Sequence, residues 1–369
     1  MKKWLKWIVA GLISGALVLG AIQYFAYYQR PQPKTDIPQK ENKAAPRIAV
    51  LAENLEIPWA IAFLPDKSLL VTERPGKVRL VGADGKLKSE PLLVLDDVWA
   101  QSEGGLLGIA VHPEFSKNRL VYLYYTYGGV GENTFNRVVR YRLEGDKLTS
   151  RSMVVDGIPG ANNHNGGRIK FGPDRFLYIA TGDAQEPSLA QDKNALAGKI
   201  LRVTDDGKPA PGNPFGSRVY SYGHRNPQGL AWDSRGQLWA TEHGQITQDE
   251  VNKITAGGNY GWPTVRGEQQ REGMAAPVVQ SGADTWAPSG TATLKQKLYF
   301  GGLRGQALFM VTLGEPTAPV KHFAGELGRV REVVVGPDGL LYITVSNRDG
   351  RGNPLAGDDK IYVVNPTKL

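Results

Sequence analysis

Seven residues, Asn162-Asn163-His164-Asn165-Gly166-Gly167-Arg168, bring amides, one imidazole and two glycines together just ahead of the strand-like run Arg168 to Phe171. A histidine gives and takes protons near neutral pH, and flanking amides can fix its tautomer. Adjacent glycines let the backbone turn sharply or approach a ligand closely. Read alone, the stretch suits either a general base at a binding site or a polar hairpin turn built on Asn165-Gly166. Charged and polar residues recur at comparable places along the chain. Glu103 and Arg225-Asn226 precede strand-like runs, while Glu73-Arg74, Thr181-Gly182-Asp183, Thr241-Glu242-His243-Gly244, Arg304 and Ser346-Asn347-Arg348 follow them.

The elements that must position these residues form one recurring unit. An apolar strand leads through a Pro/Asp/Gly turn to a second apolar strand ending in small polar residues. The first copy is Trp59–Phe63 with Ser68–Thr72, the second Leu107–Val111 with Leu120–Tyr127, and the third Arg168–Phe171 with Phe176–Thr181. The fourth is Gly229–Trp232 with Gln237–Thr241, a degraded fifth spans Ala292–Leu303, and the sixth is Val330–Val335 with Leu340–Val345. Copies about 40 to 60 residues apart leave room for four strands each, the spacing of propeller blades. The expectation is an all-β, six-bladed β-propeller over residues 47–369, closed by pairing of Arg47–Leu51 with the blade containing Lys360–Val364. A β-sandwich with long insertions is the alternative, and the repeat count argues against it. Polar residues where six blades converge are what a central binding site needs. Periodicity alone leaves open whether the loops before first strands share a face with the ends of second strands.

The 369-residue chain can bury a sizeable core, and 45 Gly, 24 Pro, 15 Tyr and 8 Trp suit a turn-rich β protein. The absence of cysteine excludes disulfides, thiolate metal sites and cysteine nucleophiles. Residues 1–47 hold eight basic and two acidic residues, six of the net eight positive charges, so the high pI is no argument for nucleic-acid binding.

Lys2, Lys3 and Lys6 precede an apolar run from Trp7 to Ile22, followed by Tyr24-Phe25-Ala26-Tyr27-Tyr28. Residues 1–28 read as a signal peptide or a membrane-spanning signal anchor. A run of about 20 residues is long enough to cross a bilayer, and a clear small-x-small cleavage site is missing, which favours the anchor. Residues 29–46, with Pro31, Pro33, Pro38 and Pro46, read as a polar linker holding the domain outside the cytoplasm.

Several motifs resemble those of the soluble pyrroloquinoline quinone (PQQ)-dependent sugar dehydrogenases, the glucose/sorbosone dehydrogenase family. They are Glu103-Gly-Gly-Leu-Leu-Gly-Ile-Ala-Val-His-Pro113, Asn163-His-Asn-Gly-Gly-Arg168, Gly223-His-Arg-Asn-Pro-Gln-Gly229, Gly257-Gly-Asn-Tyr-Gly-Trp-Pro263, Arg329-Val-Arg331 and Asn347-Arg-Asp-Gly-Arg351. The resemblance covers residues 47–367 and implies oxidation of aldose sugars at the anomeric carbon, with His164 as general base and PQQ accepting hydride. It further implies Arg225, Asn226, Arg304, Arg329 and Arg331 as cofactor-binding residues, with Arg304 standing where many members have lysine. The Gly244 and Gln245 carbonyls are implied as calcium ligands. A membrane quinone or a cytochrome is the kind of electron acceptor an anchored enzyme would use. Two departures stand out: Asn163 replaces an Asp beside the catalytic His, and Glu103 replaces a Gln. The expectation is a His164 without a carboxylate neighbour, unless Glu103 lies close enough to supply one, and an aldose range broader than glucose. His224 or His243 is expected to line the cleft. Two other readings of the propeller are a non-catalytic binding module and a metal-dependent lactonase.

Overall fold

The computed structural model describes residues 44–128, 133–315 and 318–369. The signal or anchor segment, residues 1–28, and most of the linker, 29–46, lie outside the described residues. Among the described residues, no helix is long and apolar enough to cross a membrane.

Six four-stranded antiparallel sheets follow one another along the chain. Their first strands are Pro58–Phe63, Leu106–Val111, Ile169–Phe171, Pro227–Trp232, Pro288–Leu294 and Val330–Val335. These pack against one another around a common axis. The sixth sheet takes its outermost strand from the other end of the domain: Ile48–Ala52 pairs with Ile361–Val364, Ile48 opposite Val364 and Ala49 opposite Val363. The ring closes as the sequence pattern requires, and the architecture is a six-bladed β-propeller.

Second strands are buried along their whole length in three blades, at Leu69–Glu73, Leu177–Thr181 and Leu238–Glu242. A strand covered on both faces reads as a continuous apolar run instead of an alternation, and that is why the repeats were visible. The turns have a shared chemistry. Asp66 accepts a hydrogen bond from the Ser68 backbone N–H, Asp174 from Phe176, Asp233 from Arg235 and Gln237, and Asp338 from Leu340. Each side chain mimics a turn of backbone.

Neighbouring blades are stitched by buried side chains on main-chain oxygens. Thr72 donates to the Leu107 carbonyl at 2.6 Å, Tyr124 to Asn165 at 2.7 Å, Thr241 to Ser289 at 2.7 Å, Ser289 to Arg331 at 2.6 Å, and Ser346 to Pro58 at 3.0 Å across the closure. Near the axis, Arg168 is 1% exposed and pairs with Glu332, donates to the Gln228 carbonyl at 2.9 Å and lies 4.2 Å from the Trp59 ring centroid. Blades one, three, four and six meet there, forming a polar hub in an apolar core.

Candidate active site

Antiparallel pairing decides which loops share a face. The start of each first strand lies opposite the end of its partner: Pro58 pairs with Glu73, Leu106 with Tyr125, Pro227 with Glu242, Pro288 with Gly302 and Val330 with Val345. Loops entering first strands and tails leaving second strands therefore emerge together. In these five blades the register slips within the first residues of the first strand. A bulge re-aims side chains locally, and here the bulges lie beside a cavity of about 420 Å³ lined by residues of all six blades.

His164 sits at the cavity wall in a left-handed backbone conformation, φ 64°. That geometry is costly for a residue with a side chain, and several contacts hold it. Its N–H donates to the Glu103 carboxylate at 2.9 Å, and the Ala184 N–H donates to its carbonyl at 3.2 Å. Gly182 lets the chain pass so close that a Cβ there would stand 1.8 Å from the His164 oxygen. The Gly166 N–H, one turn on, donates to the Asn226 side chain at 3.0 Å.

The imidazole Nδ1 lies 2.7 Å from Asp183 Oδ1. This corrects the expectation that His164 lacks a carboxylate neighbour. The partner is not residue 163 but the fully buried carboxylate at the end of the third blade's second strand. Both Asp183 oxygens are fixed, Oδ1 also by the Gln185 N–H at 2.9 Å and Oδ2 by the Trp262 indole N–H at 2.7 Å. A carboxylate accepts, so Nδ1 carries the proton of the neutral ring and Nε2 is left as the acceptor. Asn163 does not touch the imidazole in this arrangement; its carbonyl oxygen accepts from Ser102 Oγ at 3.1 Å and from Arg351 at 3.2 Å. Glu103 serves the His164 main chain and pairs with Arg351 at 3.1 Å. Burial works against its ionisation, but His243, the His164 N–H and Arg351 outweigh burial and hold it below the usual carboxylate range.

Six guanidiniums line the cavity, those of Arg74, Arg225, Arg304, Arg329, Arg331 and Arg351. Arg329 is held on Asp349 through Nε at 2.9 Å and Nη2 at 2.8 Å. Arg331 donates to Gln228 at 2.9 Å, and its Nε is buried without a hydrogen-bond partner. Burial pushes the Arg331 pKa down to about 9 although Asp349 opposes the shift, with Arg329 and Arg74 adding to it. Arg225 donates to the Gly244 carbonyl at 2.6 Å and the Gln245 carbonyl at 3.4 Å, and its Nε too lacks a partner. Arg304 is exposed on the cavity wall. Asn226, expected among the cofactor ligands, is fully buried beneath the His164 loop, its amide nitrogen 3.5 Å from Glu103.

Of the two histidines expected at the cleft, His243 lines it and His224 does not. His224 is buried between Ser221 Oγ at 2.8 Å and Glu242 at 2.8 Å, and stacks on Tyr260. Burial holds His243 below its usual range against the pull of Asp249 and Glu103, and its Nε2 is unpartnered. Asp183, Arg74, Asp349 and Arg351 complete the site beyond the residues singled out from sequence as catalytic or ligand-binding. All four lie at or just beyond the ends of second strands, so strand position was the signal that could have found them.

Comparison with known proteins agrees with this geometry. Residues 55–356 match the Glucose / Sorbosone dehydrogenase family model. The aldose sugar dehydrogenase YliI of Escherichia coli is 34% identical over 341 residues, covering 83% of this chain and 92% of that protein. A PQQ-bound aldose sugar dehydrogenase from Streptomyces coelicolor superposes with a TM-score of 0.80 at 42% identity, over 86% of this chain and 97% of that one. A Thermus thermophilus structure described as a putative oxidoreductase (glucose dehydrogenase) gives 0.81 at 45% identity, over 86% and 99%. The propeller, the arginine-lined cavity and these likenesses together show that the chain belongs to the glucose/sorbosone dehydrogenase family of oxidoreductases.

Proposed function

We propose that the chain oxidises aldose sugars at the anomeric carbon to lactones, using PQQ as the bound oxidant and His164 as the general base. The observation that carries this reading is the 2.7 Å contact between His164 Nδ1 and Asp183 at the wall of a cavity lined by arginines. PQQ has three carboxylates, and a group of that charge suits the donors present. The Nε atoms of Arg331 and Arg225 and the Nε2 of His243 are buried without partners, and Arg331 is crowded by other cations. An incoming anion relieves both conditions. Arg225, Arg304 and Arg331 are the residues we assign to it, with Arg329 acting through Asp349. When bound, PQQ supplies an electrophilic quinone that accepts the hydrogen and electron pair lost by the sugar carbon.

The chain's own residues do the rest. Asp183 orients the imidazole, fixes its tautomer and stabilises the imidazolium that forms when Nε2 takes the sugar hydroxyl proton. Glu103, Asn226 and the close approach of Gly182 hold His164 in its left-handed conformation, so the base is in place before substrate arrives. Calcium is a different matter. The two carbonyls the resemblance assigns to it, Gly244 and Gln245, receive the Arg225 guanidinium. Among the described residues no three His, Asp or Glu side chains gather as a metal set. A calcium ion at these carbonyls requires Arg225 to turn away.

The test is sugar-dependent reduction of an artificial dye by the purified full-length protein with PQQ added. Reduction that requires both PQQ and an aldose supports the reading; failure to bind PQQ, with no aldose reducing the dye, overturns it.

A further inference from the structure

The charges around the cavity do not balance, and the surplus is on the rim. Three carboxylates face the six guanidiniums: Glu103, Asp249 and Asp349. Asp249 is spent on loop donors, the N–H groups of Gly244 at 2.9 Å, Trp286 at 2.6 Å and Ala287 at 2.8 Å. Asp349 is shared by Arg329 and, at 3.7 Å, Arg331. If Arg225, Arg304 and Arg331 meet the three carboxylates of the cofactor, Arg74 and Arg351 remain with Glu103 and a share of Asp349, whose charge also reaches Arg74.

Both arginines contact the loop 102–104. Arg74 donates to the Ser102 carbonyl and, at 3.4 Å, to that of Gly104, while its Nε is buried without a partner. Arg351 reaches Glu103 at 3.1 Å, Asn163 at 3.2 Å and Ser102 Oγ at 3.5 Å, and its side chain is 49% exposed. All three partners adjoin His164: Glu103 holds its N–H, Asn163 precedes it in the chain, and Ser102 bonds Asn163. The pair is one-sided: the Arg351 side chain is half in water, whereas that of Glu103 is largely buried. Arg351 can therefore keep Glu103 and turn its water-facing nitrogens to a carboxylate carried by the substrate, since a guanidinium has five N–H donors and can serve two carboxylates at once.

We infer that this rim is a subsite for an anionic group on the sugar, that aldoses bearing a carboxylate (aldouronates) are substrates, and that Arg351 is the residue that selects them. The inference rests on the sugar-oxidising reading above. Ser102 and Asn163 supply neutral hydrogen-bonding groups for hydroxyls beside the carboxylate, and Arg74, bonded to the same loop and lining the same cavity, adds a second positive charge.

The experiment compares galactose with galacturonate, and glucose with glucuronate, as dye-reducing substrates of the full-length PQQ-loaded protein at low and high salt. The expected result has two parts. At low salt each uronate has a kcat/KM at least equal to that of its neutral counterpart. Added salt lowers the uronate value and spares the neutral one, because screening acts only on the charged substrate. In R351Q the uronate-to-neutral ratio of kcat/KM falls about tenfold or more, chiefly through KM, the scale of a lost charge-assisted hydrogen bond; R351K retains part of it. Neutral aldoses oxidised while uronates are not, or a ratio that ignores both salt and R351Q, overturns the inference and leaves the sugar-oxidising reading intact. If no sugar of either kind reduces the dye, that reading fails and the inference fails with it.

Discussion

At the scale of single residues, His164 is defined less by its own neighbours in sequence than by Asp183, nineteen residues on and across the blade. In the proposed mechanism D183N removes the negative charge that would stabilise the imidazolium, and it lets the amide present either a donor or an acceptor to Nδ1. We expect kcat to fall about a hundredfold or more, with PQQ affinity little changed; steady-state kinetics paired with a cofactor titration separates the two. R331M should do the reverse and weaken PQQ binding about tenfold or more, since a cofactor carboxylate loses its guanidinium partner; equilibrium binding reads this directly. The contact with Asp183 is not legible in the sequence, because it joins residues nineteen apart whose meeting depends on the strand pairing, whereas residue 163 is merely next to the histidine in the chain. The left-handed backbone at His164 turns Asn163 outward to Ser102 and Arg351 instead. Glu103 reaches the same place but bonds the main chain of His164, a contact no side-chain inventory suggests.

Among the elements, the strand pairs were the most readable part of the chain. A second strand packed on both faces reads as an apolar run up to its polar end, and Asp-centred turns mark its start. The fifth pair was faint for a physical reason. Its first strand, Pro288–Leu294, is built largely of small and hydroxyl-bearing residues, with Ser289 and Thr291 buried and bonded to main-chain oxygens of the sixth blade and of its own second strand. The strand-end bulges could not be read from periodicity, although antiparallel pairing alone implies that both kinds of loop share a face. One interaction between elements is open to a stability test. Arg168 and Glu332 form a buried pair between the third and sixth blades. E332A strands a buried guanidinium and should cost about 3–5 kcal/mol, measured by chemical or thermal denaturation.

For the whole molecule, ring closure depends on Asp359 as well as on the strand pairing of residues 48–52. Its carboxylate accepts from the N–H groups of Asn347 at 2.7 Å, Arg348 at 3.2 Å and, on the first blade, Ile57 at 3.2 Å. Burial raises its pKa to about 6, with neighbouring Asp358 adding to the shift against these three donors. The folded state therefore binds a proton more readily than the unfolded chain, so this group favours folding increasingly as pH falls from above 6 towards 4. Over that window the wild type should gain stability relative to D359N, and melting curves of the two proteins at matched pH values test the sign. Every role proposed for the cavity turns on His164 being the base of a PQQ-dependent sugar oxidation. The most direct measurement is PQQ binding and aldose-dependent dye reduction by full-length H164A beside the wild type. We predict that the variant binds PQQ as the wild type does and has lost turnover; wild-type activity in the variant would contradict the claim.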